Sequence, residues 1–161
     1  MANVAVTKVA IPNGLNGSTE TVIVQNIRYQ DIINGGTFAD NDTATFTIPV
    51  GVGQAVVGVG VKLITAFTDS GSGDELAVEV GDGSDANGFI TTADLHASQT
   101  EISYVYNTGA YIDTETSKLY LVADSLDILL TPNLATGTDY SLSELTAGEF
   151  EVKVFLRDLN S

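Results

Sequence analysis

The stretch GEFEVKVFLRDL at residues 148–159 shows the clearest periodicity in the chain and decides the fold class. Charged side chains alternate with apolar ones, and Phe155 is the exception. The apolar positions fall on one face of an extended chain, at Phe150, Val152, Val154 and Leu156. Alternation with a period of two is typical of a β-strand with one buried face. The segment therefore predicts a strand that packs its apolar face into a core.

Runs of the same kind recur along the chain and are rich in the Val, Ile, Thr, Tyr and Phe that strands favour. They lie at residues 3–10, 20–29, 43–50, 54–65, 75–80, 101–107, 117–124 and 126–131. Clusters of Gly, Asn, Asp and Ser separate them, which is typical of turns. We interpret DSGSGD (69–74) as a hairpin turn and GDGSDANGF (81–89) as a structured turn into the next element. No segment shows a helical stripe of useful length, and residues 91–98 are expected to form a single turn at most.

Eight or nine strands without a repeat period predict an all-β fold, an antiparallel β-sandwich of jelly-roll-like form. A chain of 161 residues fits one domain, and we assign residues 19–161 to it. Residues 1–18 are either an N-terminal arm or the first strand, because VAVTKVAIP (4–12) is apolar and then breaks at Pro12, Asn13 and Gly14. The start of the chain lacks the features of a signal peptide and no run suits a membrane helix, so we expect synthesis in a cytosol and no membrane partner.

The charge balance excludes several classes of function. Six Lys and Arg against 21 Asp and Glu give a formal net charge of −15. A field of this sign repels phosphate backbones, so nucleic acid is not an expected partner. Cysteine is absent, which excludes disulfides, zinc–thiolate sites and cysteine nucleophiles.

The acidic stretch at residues 68–95 raises the question of a calcium site. An EF-hand loop needs oxygen ligands at alternate positions, and the pattern fails whether it begins at Asp82 or Asp85. A looser cation site across neighbouring loops would use Asp69, Asp74, Asp82 and Asp85. The alternative is that these residues form Asx and Ser turns without a metal. We predict no cofactor.

No catalytic arrangement is evident in the sequence. His96 is the only histidine, and no G-x-S-x-G elbow accompanies it. We therefore predict that the protein is not an enzyme. Tyr104 and Tyr106 would share a sheet face, either as a platform for a sugar or as packed aromatic side chains with the hydroxyl at the rim.

Glycine interrupts the long valine-rich strand GVGQAVVGVGVKLIT (51–65). Val57, Val59, Val61 and Leu63 are expected to share one face, while Gly58 and Gly60 leave the other face nearly bare. Glycine in a strand marks a bend or a close approach of other groups. Two interpretations stay open, a tight fit within the sandwich and a flat patch against a neighbouring subunit.

Three segments resemble small virion proteins of tailed bacteriophages. These are residues 43–95 with the signature GDGSDANGF, residues 117–133 (SKLYLVADSLDILLTPN), and residues 145–159, where TAGE introduces the last strand. Together these segments cover about half of the 161 residues. The resemblance implies a jelly-roll-like sandwich on the particle surface, in many cases a trimer, and it implies a structural turn rather than a ligand site at GDGSDANGF.

The resemblance thus implies a capsid decoration (cement) protein that binds the outside of the phage head, with itself and the major capsid protein as partners. Synthesis would take place in the host cytoplasm and the final location would be the virion. The expected interface comprises the N-terminal segment and the bare glycine face, at Val4, Val6, Val9, Ile11, Gly58 and Gly60. The alternative function is a tail or head-fibre adhesion module that binds carbohydrate, with or without the help of a cation.

Overall fold

The computed structural model describes residues 7–12, 19–71, 73–96, 104–112, 117–132 and 139–159. In this part of the chain ten β-strands form two antiparallel sheets, so the predicted sandwich is confirmed. β7 and β8 have only three and two residues, and the other eight strands have at least six. The strands are β1 (Thr7–Pro12), β2 (Thr19–Arg28), β3 (Ala44–Val50), β4 (Gln54–Asp69), β5 (Leu76–Asp82), β6 (Asp85–Asp94), β7 (Tyr104–Tyr106), β8 (Lys118–Leu119), β9 (Asp124–Pro132) and β10 (Leu145–Asp158).

The pairing of the strands gives the sandwich its jelly-roll-like topology. The first sheet has the order β1-β2-β10-β4-β7, with β8 also paired to β4, and the second sheet has the order β3-β9-β5-β6. Apart from β1 and β8, the first strand pairs with the last (β2 with β10) and the second with the second to last (β3 with β9). The inner strands continue this nesting, β4 with β7 and β5 with β6. A long double ribbon rolled into two sheets has this order, which is the architecture of a jelly roll.

The core lies between the two sheets, as the period of two in β10 predicts. In β10 the predicted inward side chains are at most 2 % exposed, at Phe150, Val152, Val154 and Leu156, while the residues between them are half-buried. They join one apolar cluster with the inward side chains of the second sheet, such as Val78, Val80, Ile128 and Leu130. Removing this apolar surface from water is the main favourable contribution to folding.

A β-bulge in β4 corrects the predicted face of that strand. Phe155 pairs with Gly58, but the next residue of β10 pairs with Val56, so Val57 is an extra residue in the ladder. Val56 is therefore fully buried, whereas Val57 is half-buried.

The turn-rich middle of the chain differs from the prediction at three places. DSGSGD does not close a hairpin, because β4 and β5 belong to different sheets and the segment crosses between them. The GDGSDANGF turn is confined to Gly83 and Ser84, and β6 begins at Asp85. Residues 91–94 belong to β6 rather than to a helical turn. β6 is rich in Asp, Asn and Thr, so its sequence does not resemble a strand. Its two large apolar side chains, Phe89 and Ile90, are both buried.

Two short helical elements were not predicted. One is α1 (Tyr29–Ile33), which buries Ile32, and the other is a single 3₁₀ turn at Leu142–Glu144. Within the described ranges α1 is the only α-helix, and its five residues are far too few to cross a membrane.

The described part of the N-terminal segment is a strand at the edge of the first sheet. Residues 7–12 form β1, in which Val9 pairs with Val22 and Ile11 pairs with Glu20. Residues 1–6 and 13–18, and with them Val4 and Val6, lie outside the described residues.

Candidate functional site

The motif GDGSDANGF folds as the β5–β6 hairpin and closes around the carboxylate of Asp82. The Asp82 side chain is only 1 % exposed. Its Oδ1 accepts hydrogen bonds from the backbone amides of Ser84 at 2.9 Å and Asp85 at 3.2 Å. An Asp that captures amides two and three residues ahead stabilises a tight turn. Asp82 therefore stabilises the two-residue turn at Gly83 and Ser84 within this motif.

Two tyrosines and a lysine from a distant part of the chain complete the shell of Asp82. The Tyr111 hydroxyl donates to Oδ1 at 2.8 Å and the Tyr120 hydroxyl donates to Oδ2 at 2.8 Å. Lys118 Nζ lies 3.6 Å from Oδ2 and 3.8 Å from the centroid of the Tyr111 ring. The ammonium thus combines an ion pair with a cation–π contact. This buried network ties the β5–β6 hairpin to the segments that flank β8.

The hydrogen bonds decide the charge state of Asp82. Burial alone would raise its pKa, but the hydrogen bonds from Tyr120, Ser84, Tyr111 and Asp85 together hold the pKa below its ordinary value of 3.8. The carboxylate is therefore ionised at neutral pH. Burial, and then the hydrogen bond to this carboxylate and its charge, raise the pKa of Tyr111 and of Tyr120, so both phenols remain donors.

Two glycines of the motif allow this close packing. A Cβ on Gly81 would collide with the backbone of Asp85 and Ala86 across the hairpin. A Cβ on Gly88 would collide with the ring of Tyr111, which lies over that residue. Glycine is needed at both positions because other groups occupy the space of a side chain.

The Asp82 end of the sandwich consists of residues 50–54, 82–85, 118–124 and 157–159. Three backbone hydrogen bonds join its turns: from Gly53 N to Tyr120 O at 2.8 Å, from Tyr120 N to Gln54 O at 3.0 Å, and from Leu159 N to Gly53 O at 3.0 Å. Tyr120 thus anchors this end twice, through its backbone and through its hydroxyl.

Exposed apolar side chains collect on these joined turns. We call them the apolar end patch: Val52 (57 % exposed), Leu119 (42 %), Leu121 (77 %), Val122 (72 %) and Leu159 (52 %). The other large apolar side chains exposed in the described ranges are Ile64 and Tyr106, which belong to β4 and β7.

The four carboxylates proposed for a cation do not gather at one place. Asp69 lies at the opposite end of β4 from residue 54, where its Oδ2 is 3.1 Å from His96 Nε2 and its Oδ1 accepts the amides of Gly71 and Gly73. Asp82 is enclosed in its own network, and Asp85 caps Asn87 N within β6. The described ranges contain no group of three or more His, Asp or Glu side chains that could hold a metal ion. The looser cation site predicted from Asp69, Asp74, Asp82 and Asp85 stays a prediction.

His96 links the end of β6 to the end of β4. Its imidazole contacts Asp69 at the end of β4, its backbone amide donates to Asp94 Oδ1 at 2.8 Å, and its side chain is only 10 % exposed. A bridge between Phe67 and His96 adds a backbone link between the same two regions.

The bare glycine face on β4 is covered by the chain itself at Gly58. The Tyr106 hydroxyl occupies the place of a Cβ on Gly58, and the Tyr106 ring packs edge-to-face on Phe155 at 6.1 Å between centroids. Tyr106 is still 46 % exposed, so it is a packed aromatic side chain with one open side. Gly60 pairs with Tyr106 and is buried, and Tyr104 pairs with Lys62.

Comparison with known proteins gives a likeness of fold. No protein-family model and no curated protein sequence matches the chain. A chain of the capsid asymmetric unit of cyanophage Pam1 is similar, with a TM-score of 0.56, 19 % identity and coverage of 94 % of each chain. A chain of the acidic stable capsid structure of Helicobacter pylori bacteriophage KHP30 has a TM-score of 0.41 and 12 % identity over 83 % of this chain and 92 % of that chain. The second score is too low to show a common fold. The chain therefore shares its fold, over nearly its whole length, with a chain of a phage capsid structure.

Proposed function

We propose that the chain is a non-enzymatic structural protein of a phage virion, and more specifically a capsid decoration (cement) protein on the outside of the head. One observation carries the proposal: the likeness to the Pam1 capsid chain covers 94 % of both chains. The likeness concerns the complete sandwich rather than a local motif.

The structure of the chain suits such a role. Its conspicuous polar clusters, Asp82 with Tyr111 and Tyr120, and Asp69 with His96, link separate segments of the sandwich. The hydroxyls of Tyr111 and Tyr120 and the imidazole of His96 contact carboxylates of distant segments of the same chain, which is the chemistry of stabilising contacts. A rigid, strongly acidic sandwich offers a durable surface for attachment to a particle.

The proposed mechanism is interfacial. A protein that binds only to the assembled shell, across neighbouring capsid subunits, stabilises the shell by its own free energy of binding. This linkage is worth about 2.7 kcal/mol for each site when the free protein is at a hundred times its dissociation constant. Three copies related by a threefold axis would multiply the number of contacts. We propose this homotrimer as the functional unit, and light scattering of the purified protein tests it.

The proposal is tested with particles from which the protein has been removed by deletion of its reading frame. Purified protein should cosediment with these particles and raise the temperature at which they release DNA. Immunogold labelling should mark the head. Labelling of the tail alone would contradict the decoration role and favour the adhesion module, while failure to cosediment would contradict the virion assignment.

A further inference from the structure

We propose that the apolar end patch is the surface by which the chain docks on its protein partner, and that the partner presents an apolar area bordered by Lys and Arg. The inference rests on the proposed function and deepens it, because it assigns the surface of this chain that contacts the particle.

Exposed apolar side chains are concentrated at the Asp82 end of the sandwich. Five of the seven large apolar side chains exposed in the described ranges belong to this one end. Single exposed apolar residues are normal on a protein surface, but a contiguous group marks an interaction site. Leu121 and Val122 are the most exposed of all, at 77 % and 72 %.

The backbone of the apolar end patch is held in place by hydrogen bonds. The turns that carry it are joined by three backbone hydrogen bonds, and the buried hydroxyl of Tyr120 fixes the loop beside Leu121 to Asp82. A surface that is ordered before binding loses little conformational entropy when it binds. An exposed apolar loop supported in this way is suited to association.

The charge around the apolar end patch indicates the chemistry of the partner. Asp124 and Asp158 border the patch, since they pair with Val50 and Gln54. Two basic side chains of this end already form ion pairs within the chain, Lys118 with Asp82 at 3.6 Å and Arg157 with Glu20 at 2.6 Å. Asp124 is exposed, so the border carries negative charge, on a chain whose net charge is −15.

This acidic border decides between a second copy and a different protein. Two copies that met through the patch would bring like charges together at a close interface, which opposes association. A partner with a basic border would instead be attracted over a distance and held in register. We therefore infer that the protein bound at the apolar end patch is not a second copy of the chain but a different protein, with an apolar area and a basic border.

The test uses particles that lack the protein, with wild-type chain as the reference ligand. The variant L121S/V122S removes two exposed apolar side chains, and Ile64→Ser is the matched control on β4, away from the patch. Wild type and Ile64→Ser should cosediment equally, while L121S/V122S should bind about 100-fold more weakly. Thermal unfolding of wild type and L121S/V122S should agree, because Leu121 and Val122 are 77 % and 72 % exposed. Ile64 is 38 % exposed, so Ile64→Ser is compared at a temperature below the onset of its own unfolding curve.

A second pair of variants tests the charge. Asp124→Asn should slow association several-fold at low salt and reduce its dependence on salt, whereas Asp40→Asn, an exposed acid at the other end of the sandwich, should not.

The outcomes separate the two proposals. Full binding by L121S/V122S would overturn the docking inference and leave the virion role intact. A lower molar mass for this variant in light scattering would show that the patch joins copies of the chain, which also overturns the inference. If wild type itself does not bind, the proposed function fails and the docking inference fails with it.

Discussion

The substitution Tyr120→Phe isolates one hydrogen bond of the buried network. The Tyr120 side chain donates to Asp82 Oδ2 at 2.8 Å, and the residue is 4 % exposed. Without the hydroxyl, the contact of Oδ2 with Lys118 at 3.6 Å remains. Oδ1 keeps three donors, so the carboxylate stays ionised. A hydrogen bond to a charged group contributes about 1.5–3 kcal/mol, so we expect the free energy of unfolding to fall by about 2 kcal/mol.

The effect is measured by urea unfolding and by the melting temperature, which should fall by roughly 4–8 °C for a chain of this length. Tyr111→Phe should cost less than Tyr120→Phe, because the Tyr111 hydroxyl is one of three donors to Oδ1. Tyr29→Phe is the control, since that hydroxyl has only an exposed contact with Gln30 at 3.3 Å. If Tyr120→Phe unfolds within about 0.5 kcal/mol of wild type, Tyr120 does not anchor the Asp82 end through this bond.

Three further predictions concern stability. The pKa of Asp82 is lower in the folded chain than its ordinary value of 3.8. The contribution of Asp82 to the free energy of unfolding is therefore complete above pH 3.8 and is lost as the pH falls through the folded pKa. In acid unfolding curves the wild-type chain should lose more stability than Asp82→Asn. Gln25 is fully buried and its side-chain amide has no hydrogen-bond partner in the described structure. Gln25→Met should therefore raise the free energy of unfolding by about 1–3 kcal/mol in the urea assay. A loss of stability would instead indicate that a buried water is the partner of Gln25. Gly81→Ala should lower the free energy of unfolding by about 3 kcal/mol, because the new methyl group collides with backbone across the hairpin. Gly83→Ala is the control and should be close to neutral in the same urea assay, because its methyl group meets nothing within 4 Å.

Local patterns in the sequence predicted the strands that bury one regular face. The alternation at residues 148–159 identified β10 and its inward side chains, because in a strand the period of two depends only on neighbouring residues. The same logic failed at residues 85–94. There β6 is rich in Asp, Asn, Gly and Thr, and β5 supplies the pairing that makes it a strand.

The tertiary structure alone decided the candidate site. Asp82 is 29 residues from Tyr111 and 38 residues from Tyr120 in the chain, and no pattern in the sequence shows that these side chains meet. Tyr106 covers Gly58 in the same way, through the pairing of β7 with β4. The sequence determined the fold class, the acidic charge and the presence of a turn within GDGSDANGF, because these depend on composition and local geometry. The partners of Asp82 and the exposure of Leu121 and Val122 depend on the order in which the strands pair, and that order is a property of contacts between distant segments.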